Sequence, residues 1–99
     1  MIAVFKAPGL PPELVRIDGD KKSIHNQLGG DFEAFPALKG AMILHRKNGP
    51  DLPYNIHFMG DSWHGPVLLV GRGEDDSATS LTPQLQTMLS TVLTQKEKR

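Results

Sequence analysis

The chain between residues 51 and 65 carries the side chains that come nearest to a metal-ligand pattern. His57, Asp61 and His64 stand with three and then two residues between them. Imidazole and carboxylate groups together form the donor set of many zinc and iron sites. Two glycines in this stretch argue against a regular helix that would align these groups, and no fourth ligand is evident. We therefore predict no bound metal here, and interpret the segment as an irregular loop beside a buried Trp63.

The second chemical candidate is Gly71-Arg72-Gly73, which directly follows an apolar run. Glycines let a backbone approach a phosphate closely, and an arginine can pair with it through two hydrogen bonds. The next three residues are acidic and would repel an anion, and the chain has neither a P-loop nor a dinucleotide-binding fingerprint. This segment is therefore predicted to be a solvated turn at the end of a strand.

Nucleophilic or acid–base catalysis finds little support in the chain. Its five serines and four histidines include no nucleophile-elbow pattern, and Ser62 and His64 are merely close in sequence. Glu33 could act as a base carried on a strand, but exposed strand glutamates are far more common. We predict no catalytic residue and no cofactor.

Aromatic side chains alternate with histidines in the same 51–65 segment, which holds the only Tyr and the only Trp of the chain. Aromatic anchors of this kind are favoured in protein interfaces, and they can also stack on a base. Arg72 is the cation that could complete a ligand pocket. The predicted ligand- or partner-binding residues are Tyr54, Asn55, His57, Trp63, His64 and Arg72.

Composition narrows the classes of protein that the chain could represent. The 99 residues include 11 Lys and Arg against 11 Asp and Glu, which argues against a nucleic-acid partner. The absence of cysteine excludes disulfides, a thiolate nucleophile and cysteine-ligated zinc. No apolar run is long enough to span a membrane, and the first ten residues do not resemble a secretory signal. We expect one cytoplasmic domain over residues 1–99.

Short strands and a short helix are predicted in the first half of the chain. Residues 1–7 and 13–17 form a hairpin across a Pro/Gly-rich turn. A helix over 21–28 follows, with Asp20 as its N-cap and Gly29-Gly30 at its end. The alternative for residues 18–21 is a plain hairpin turn.

The second half is predicted to contain the central strand and the longest helix. Alternation over 31–35 and the apolar run 40–46 indicate two strands, and residues 66–71 form a strand buried on both faces. Thr82 and Pro83 begin a helix of about fifteen residues. Its apolar residues form a stripe along one side, and Leu93 makes this stripe wider. The stripe comprises Leu81, Leu85, Met88, Leu89 and Val92, and the basic residues at the helix end are Lys96, Lys98 and Arg99.

This order predicts an α+β fold, a small and mostly antiparallel sheet packed against a C-terminal amphipathic helix and one short helix. The widened stripe leaves slightly more apolar surface than a small sheet needs. The C-terminal helix is therefore a candidate surface for a homodimer.

Four short motifs resemble those of a family of short proteins of unknown function found in phages, plasmids and other mobile elements. The motifs are Leu28 to Glu33, Leu52 to Asn55, Gly65 to Gly71 and Ser80 to Thr82. The resemblance covers nearly the whole chain and implies a phage or mobile-element setting. It implies no reaction and no catalytic residue.

Two functional hypotheses follow. The first is a non-catalytic interaction protein whose 51–65 segment binds a protein partner. The alternative is an oligomeric small-ligand binder, such as a counter-defence sponge for a nucleotide signal. In that case Arg72 and the aromatic segment would form a pocket at an oligomer interface.

Overall fold

A computed structural model of the chain describes residues 1–38 and 40–97, and it confirms the α+β fold. The strands are β1 (Ile2–Lys6), β2 (Glu13–Arg16), β3 (Phe32–Pro36), β4 (Ala41–Arg46), β5 (Tyr54–Phe58), β6 (Asp61–His64), β7 (Val67–Arg72) and β8 (Ala78–Thr79). The helices are α1 (Lys21–Leu28) and α2 (Pro83–Glu97), with one turn of 3₁₀ helix at Gly49–Asp51.

Six strands form one antiparallel sheet in the order β2-β1-β7-β4-β3, with β8 pairing to the end of β7. β7 is the central strand, and its residues 67–71 are buried. This confirms the strand that the apolar run predicts, because a strand covered on both faces has no polar side to show. Among the described strands, β2 and β3 stand at the two ends of this order, and β8 pairs only with the end of β7.

Each face of the sheet has its own core. On one face α2 and the β5–β6 hairpin pack over Val4, Ile43 and Leu69. On the other face α1 packs over Leu44 and Leu68 through its two buried residues, which stand four apart and so share one side of the helix. The hairpin therefore lies on the face opposite α1.

The ends of α1 follow local chemistry. The Asp20 carboxylate accepts a hydrogen bond of 2.7 Å from the backbone N–H of Ser23, and Gly29 ends the helix in the left-handed region at φ 83°. Both predicted caps are confirmed, and the hairpin-turn alternative is wrong. Hydrogen bonds from Ser23, with a smaller contribution from nearby Lys22, hold the pKa of Asp20 below its ordinary value.

The predicted start of α2 is also confirmed, since the Thr82 hydroxyl accepts a 3.3 Å hydrogen bond from the backbone N–H of Leu85. The predicted apolar stripe needs correction. Met88 is 41% exposed, whereas Leu93 is fully buried in the core. Leu93 therefore adds no free apolar surface, because it packs inside the molecule. Of the predicted terminal cations, Lys96 lies in the last turn, while Lys98 and Arg99 lie outside the described residues.

The prediction of an irregular loop over residues 51–65 is wrong. Residues 54–58 and 61–64 pair as a separate two-stranded antiparallel sheet. Met59 and Gly60 connect them with positive φ angles of 58° and 79°, the arrangement of a tight hairpin turn. Ile56 and Phe58 face the core while His57 between them is exposed, so the alternation of a half-buried strand is present.

Within the described ranges, no helix has the length and apolar character needed to cross a membrane.

Candidate functional site

The β5–β6 hairpin is fastened to the main sheet by the amide of Asn55. Its Oδ1 accepts a 2.9 Å hydrogen bond from the buried Nζ of Lys6. Its Nδ2 donates to the backbone carbonyls of Lys6 at 2.8 Å and Gly65 at 2.7 Å. This buried amide therefore ties the hairpin to β1 and to the segment that enters β7. Because the side chain is used internally, we leave Asn55 out of any contact surface.

Trp63 forms the inner side of the hairpin. Its ring is 7% exposed, and its Nε1 donates a 2.9 Å hydrogen bond to the carbonyl of Phe58. The ring centroid lies 5.7 Å from that of Phe35 on β3 and 5.0 Å from that of His45 on β4. The tryptophan thus belongs mainly to the core, and Phe35 is the aromatic neighbour that reaches solvent, with 42% of its surface exposed.

The outer side of the hairpin carries the remaining polar and aromatic side chains. His57 Nδ1 lies 3.2 Å from Ser62 Oγ, its direct cross-strand neighbour. His64 Nδ1 lies 3.1 Å from the carbonyl oxygen of Leu52, and its ring stands edge-on to Tyr54 at 5.8 Å between centroids. Tyr54 is 54% exposed. The side chains of Tyr54, His57, Ser62 and His64 form a surface that is both polar and aromatic. Each of its two histidines contacts an oxygen atom of the protein.

No three His, Asp or Glu side chains in residues 1–38 and 40–97 are grouped so that they could hold a metal ion. His57 and His64 each contact a different oxygen, on Ser62 and on Leu52, and do not converge on Asp61.

A cleft of about 340 Å³ separates the β6 side of the hairpin from the β3–β4 edge of the main sheet. Residues of both sheets line it, among them Glu33, Phe35, His45, Asp61, Ser62, Trp63 and His64. The cleft combines an aromatic floor with the carboxylates of Glu33 and Asp61 on opposite walls, and Arg46 and Lys47 also line it. An apolar or aromatic side chain of a partner, alone or next to a cation, fits this lining.

β3 borders this cleft, and its outer edge is unpaired in the described part of the chain. The N–H of Lys47 donates to the carbonyl of Asp31, and the N–H of Ala37 donates to the carbonyl of Ala41. These two hydrogen bonds lie at opposite ends of the β3–β4 pairing. In an antiparallel ladder the bonded residues alternate, so the backbone groups of Phe32 and Ala34 point away from β4. Pro36 occupies the next outward position, where its missing N–H costs no ladder bond.

Sequence reasoning missed the β3–β4 contribution to this site. From the sequence, Glu33 and His45 are candidates for catalysis only, and Phe35 is given no functional role. One signal was available: Glu33 and Phe35 share one face of the strand predicted over 31–35, so Phe35 would be exposed wherever that face is not covered.

Arg72 lies apart from the other predicted site residues. It stands at the far end of β7, a strand that spans about 17 Å at the usual rise per residue. Its Nε donates a 2.6 Å hydrogen bond to Asp76, with both side chains largely exposed. A pocket that combines Arg72 with the hairpin would therefore need a second copy of the chain.

Comparison with protein families shows that residues 1–94 match the model of a domain of unknown function, DUF3846. No curated protein and no solved structure matches the chain.

Proposed function

Because the chain belongs to the DUF3846 family, whose description gives no function, we propose a function from the geometry of the protein itself. The protein binds a protein partner by non-catalytic contacts. The contact surface comprises the outer edge of β3, the adjoining cleft, and the outer side of the β5–β6 hairpin with Tyr54, His57 and His64. In this proposal the partner supplies an extended segment that pairs with β3.

The observation that carries the proposal is the coincidence of an unpaired strand edge with an aromatic cleft. Phe32 and Ala34 offer two N–H and two C=O groups, and these main-chain groups give affinity when a strand is added. Phe35 and the cleft beside it supply a pocket for the partner's side chains, which gives specificity. Trp63 contributes mainly by packing edge-on against the ring of Phe35.

The test removes one outward N–H without disturbing the fold. Ala34→Pro deletes a donor that points away from β4, whereas Ala34→Val keeps the donor and serves as the matched control. Peptides selected from a random library against the wild-type protein should bind Ala34→Val equally and Ala34→Pro about tenfold more weakly, as expected for one or more lost hydrogen bonds. Anisotropy of the labelled peptides measures both affinities. Equal binding to the two variants would refute strand addition.

A second variant tests the cleft. Phe35→Ala removes an aromatic side chain that is 42% exposed, so the protein should keep its fold. We expect the selected peptides to lose about tenfold in affinity, because aromatic anchors dominate such contacts. Circular dichroism of the variant provides the control for folding, and undiminished peptide affinity would exclude the cleft from the surface.

The proposal also includes the setting that the motif resemblance implies, a phage or mobile-element protein that acts in the cytoplasm, and a homodimer through α2. Exposed Met88 supports a contact on that helix. Light scattering should show a dimer for the wild type and a monomer for Met88→Glu, and a monomeric wild type would remove the dimer from the proposal. The origin is tested by inspecting the genes beside this one for phage or plasmid functions.

A further inference from the structure

A second pocket lies on the opposite face of the same edge strand. It has a volume of about 470 Å³ and is bounded by α1, the start of β3 and the residue that follows β4. Its lining comprises Lys21, Lys22, His25, Asp31, Phe32 and Lys47. The only apolar side chain among these residues is Phe32, which is partly buried against the α1-side core.

Positive charge predominates in this pocket, since three lysines stand against the single carboxylate of Asp31 in its lining. Within residues 1–38 and 40–97, no carboxylate forms an ion pair with any of its three lysines. The Asp31 carboxylate lies 3.4 Å from His25 Nε2. The Asp20 carboxylate accepts the capping bond from Ser23 and interacts at longer range with Lys22. An anionic group entering the pocket would therefore meet ammonium groups without displacing an existing ion pair of theirs.

The two pockets flank β3 in a way that constrains any strand added there. Phe32 and Ala34 face the α1 side, and Phe32 lines the lysine pocket. Glu33 and Phe35 face the hairpin side and line the aromatic cleft. Lys47, which follows β4, lines both pockets. Side chains of a strand alternate between the two faces of a sheet. Successive side chains of a guest strand would thus enter the two pockets in turn.

We infer that the partner segment is an extended acidic peptide in which an acidic residue alternates with an apolar one, the acidic side chain entering the pocket of Lys21, Lys22 and Lys47 and the apolar side chain entering the cleft beside Phe35. This inference rests on the proposed function, since it needs strand addition at β3. Apolar residues suit the cleft because its floor is aromatic, and acidic residues suit the lysine pocket because its lysines have no ion pairs.

The test uses synthetic peptides of about six residues, the usual length of a strand. One peptide alternates aspartate with leucine, the second alternates lysine with leucine, and the third has the first composition with its aspartates adjacent. Binding is followed by the fluorescence of Trp63, the single tryptophan, which contacts Phe35 in the cleft. The backbone amide signals of Phe32 and Ala34 report pairing with β3.

We expect the alternating aspartate peptide to bind at least tenfold more tightly than either of the others, and this preference should shrink in high salt. Lys21 lines the lysine pocket and not the cleft, so Lys21→Glu should weaken this peptide about tenfold and strengthen the lysine peptide. Arg16→Glu makes the same charge change on the opposite edge strand β2 and should leave both affinities unchanged.

The possible outcomes distinguish the inference of an acidic peptide from the proposal of strand addition at β3, on which it rests. If all three peptides bind equally and Ala34→Pro weakens each of them, strand addition stands and the acidic partner is refuted. If Ala34→Pro has no effect on binding of the aspartate peptide, strand addition fails and the inference fails with it. If, in addition, pyrophosphate competes with that peptide and shifts the amide signals of Lys21 and Lys22, the pocket serves a small phosphate-bearing ligand instead.

Discussion

The side chain of Asn55, one of the predicted binding residues, forms hydrogen bonds in the interior of the protein. A register irregularity between Tyr54 and Ile56 places an extra residue in β5. A bulge of this kind redirects the side chain at the irregular position. Asn55 accordingly points inward to Lys6 and Gly65, while Tyr54 stays exposed.

We predict that Asn55→Ala destabilises the protein by about 3 kcal/mol, because it leaves buried carbonyl oxygens of Lys6 and Gly65 without their donor. Urea unfolding measures the change as a lower midpoint at an unchanged slope. Asn26→Ala, in an exposed part of α1, is the matched control and should shift the midpoint much less. Equal shifts for the two variants would contradict the role assigned to Asn55.

Some residue roles could not be read from the sequence, because they depend on contacts between distant segments. The second glycine after α1 is one example. Gly30 lies under the guanidinium of Arg46, and a Cβ there would stand 2.6 Å from Cζ. Arg46 Nη1 donates to the carbonyl of Leu28 at 3.2 Å, so this contact helps to close the helix end. Helix-capping rules explain Gly29 alone.

At the scale of elements, local rules predicted α1 and α2 well, since capping residues and apolar spacing are properties of neighbouring positions. They failed for β5 and β6. Histidines, a proline and a Met-Gly connection obscured the alternation, and the connection lacks the usual Asn-Gly signal of a tight hairpin. The hairpin is stabilised by packing of Ile56, Phe58 and Trp63 on the sheet, which no local pattern reports.

The N-cap of α1 predicts a specific acid sensitivity. The pKa of Asp20 is lower in the folded protein than its ordinary value of 3.8, chiefly through hydrogen bonds from Ser23. The cap therefore contributes its full stability above pH 3.8, and this contribution is lost as the pH falls through the lower folded-state pKa. Asparagine caps helices without a charge. Asp20→Asn should therefore show a shallower loss of stability below pH 4 in chemical unfolding. An identical pH profile for both proteins would contradict this account.

At the scale of the whole molecule, two separate cores on one sheet explain how a chain of 99 residues builds a stable fold. The α+β class followed from the order of elements. Which elements cover each face of the sheet could not be predicted from that order, because the position of the hairpin opposite α1 arises from long-range packing. The candidate site was therefore predicted less completely than the fold, since half of the site lies on β3 and β4.

This layering predicts an ordered pattern of amide hydrogen exchange. Amides of Val67 to Val70 in β7 lie between both cores and should exchange only through global unfolding. Amides of Phe32 and Ala34 on the open edge should exchange orders of magnitude faster. Hydrogen exchange followed by NMR measures both sets. Comparable protection of the edge and central amides in a monomeric sample would contradict the strand order.

The two prolines at the sheet edges limit self-assembly. Pro12 directly precedes β2, and Pro36 ends β3. Open sheet edges are templates for indefinite stacking into fibrils, and proline interrupts the row of donors that stacking requires. On β3 only Phe32 and Ala34 remain as outward donors. An edge this short suits one brief guest strand and makes a poor seed for a filament, so the protein should stay dispersed at concentrations where a longer bare edge would polymerise.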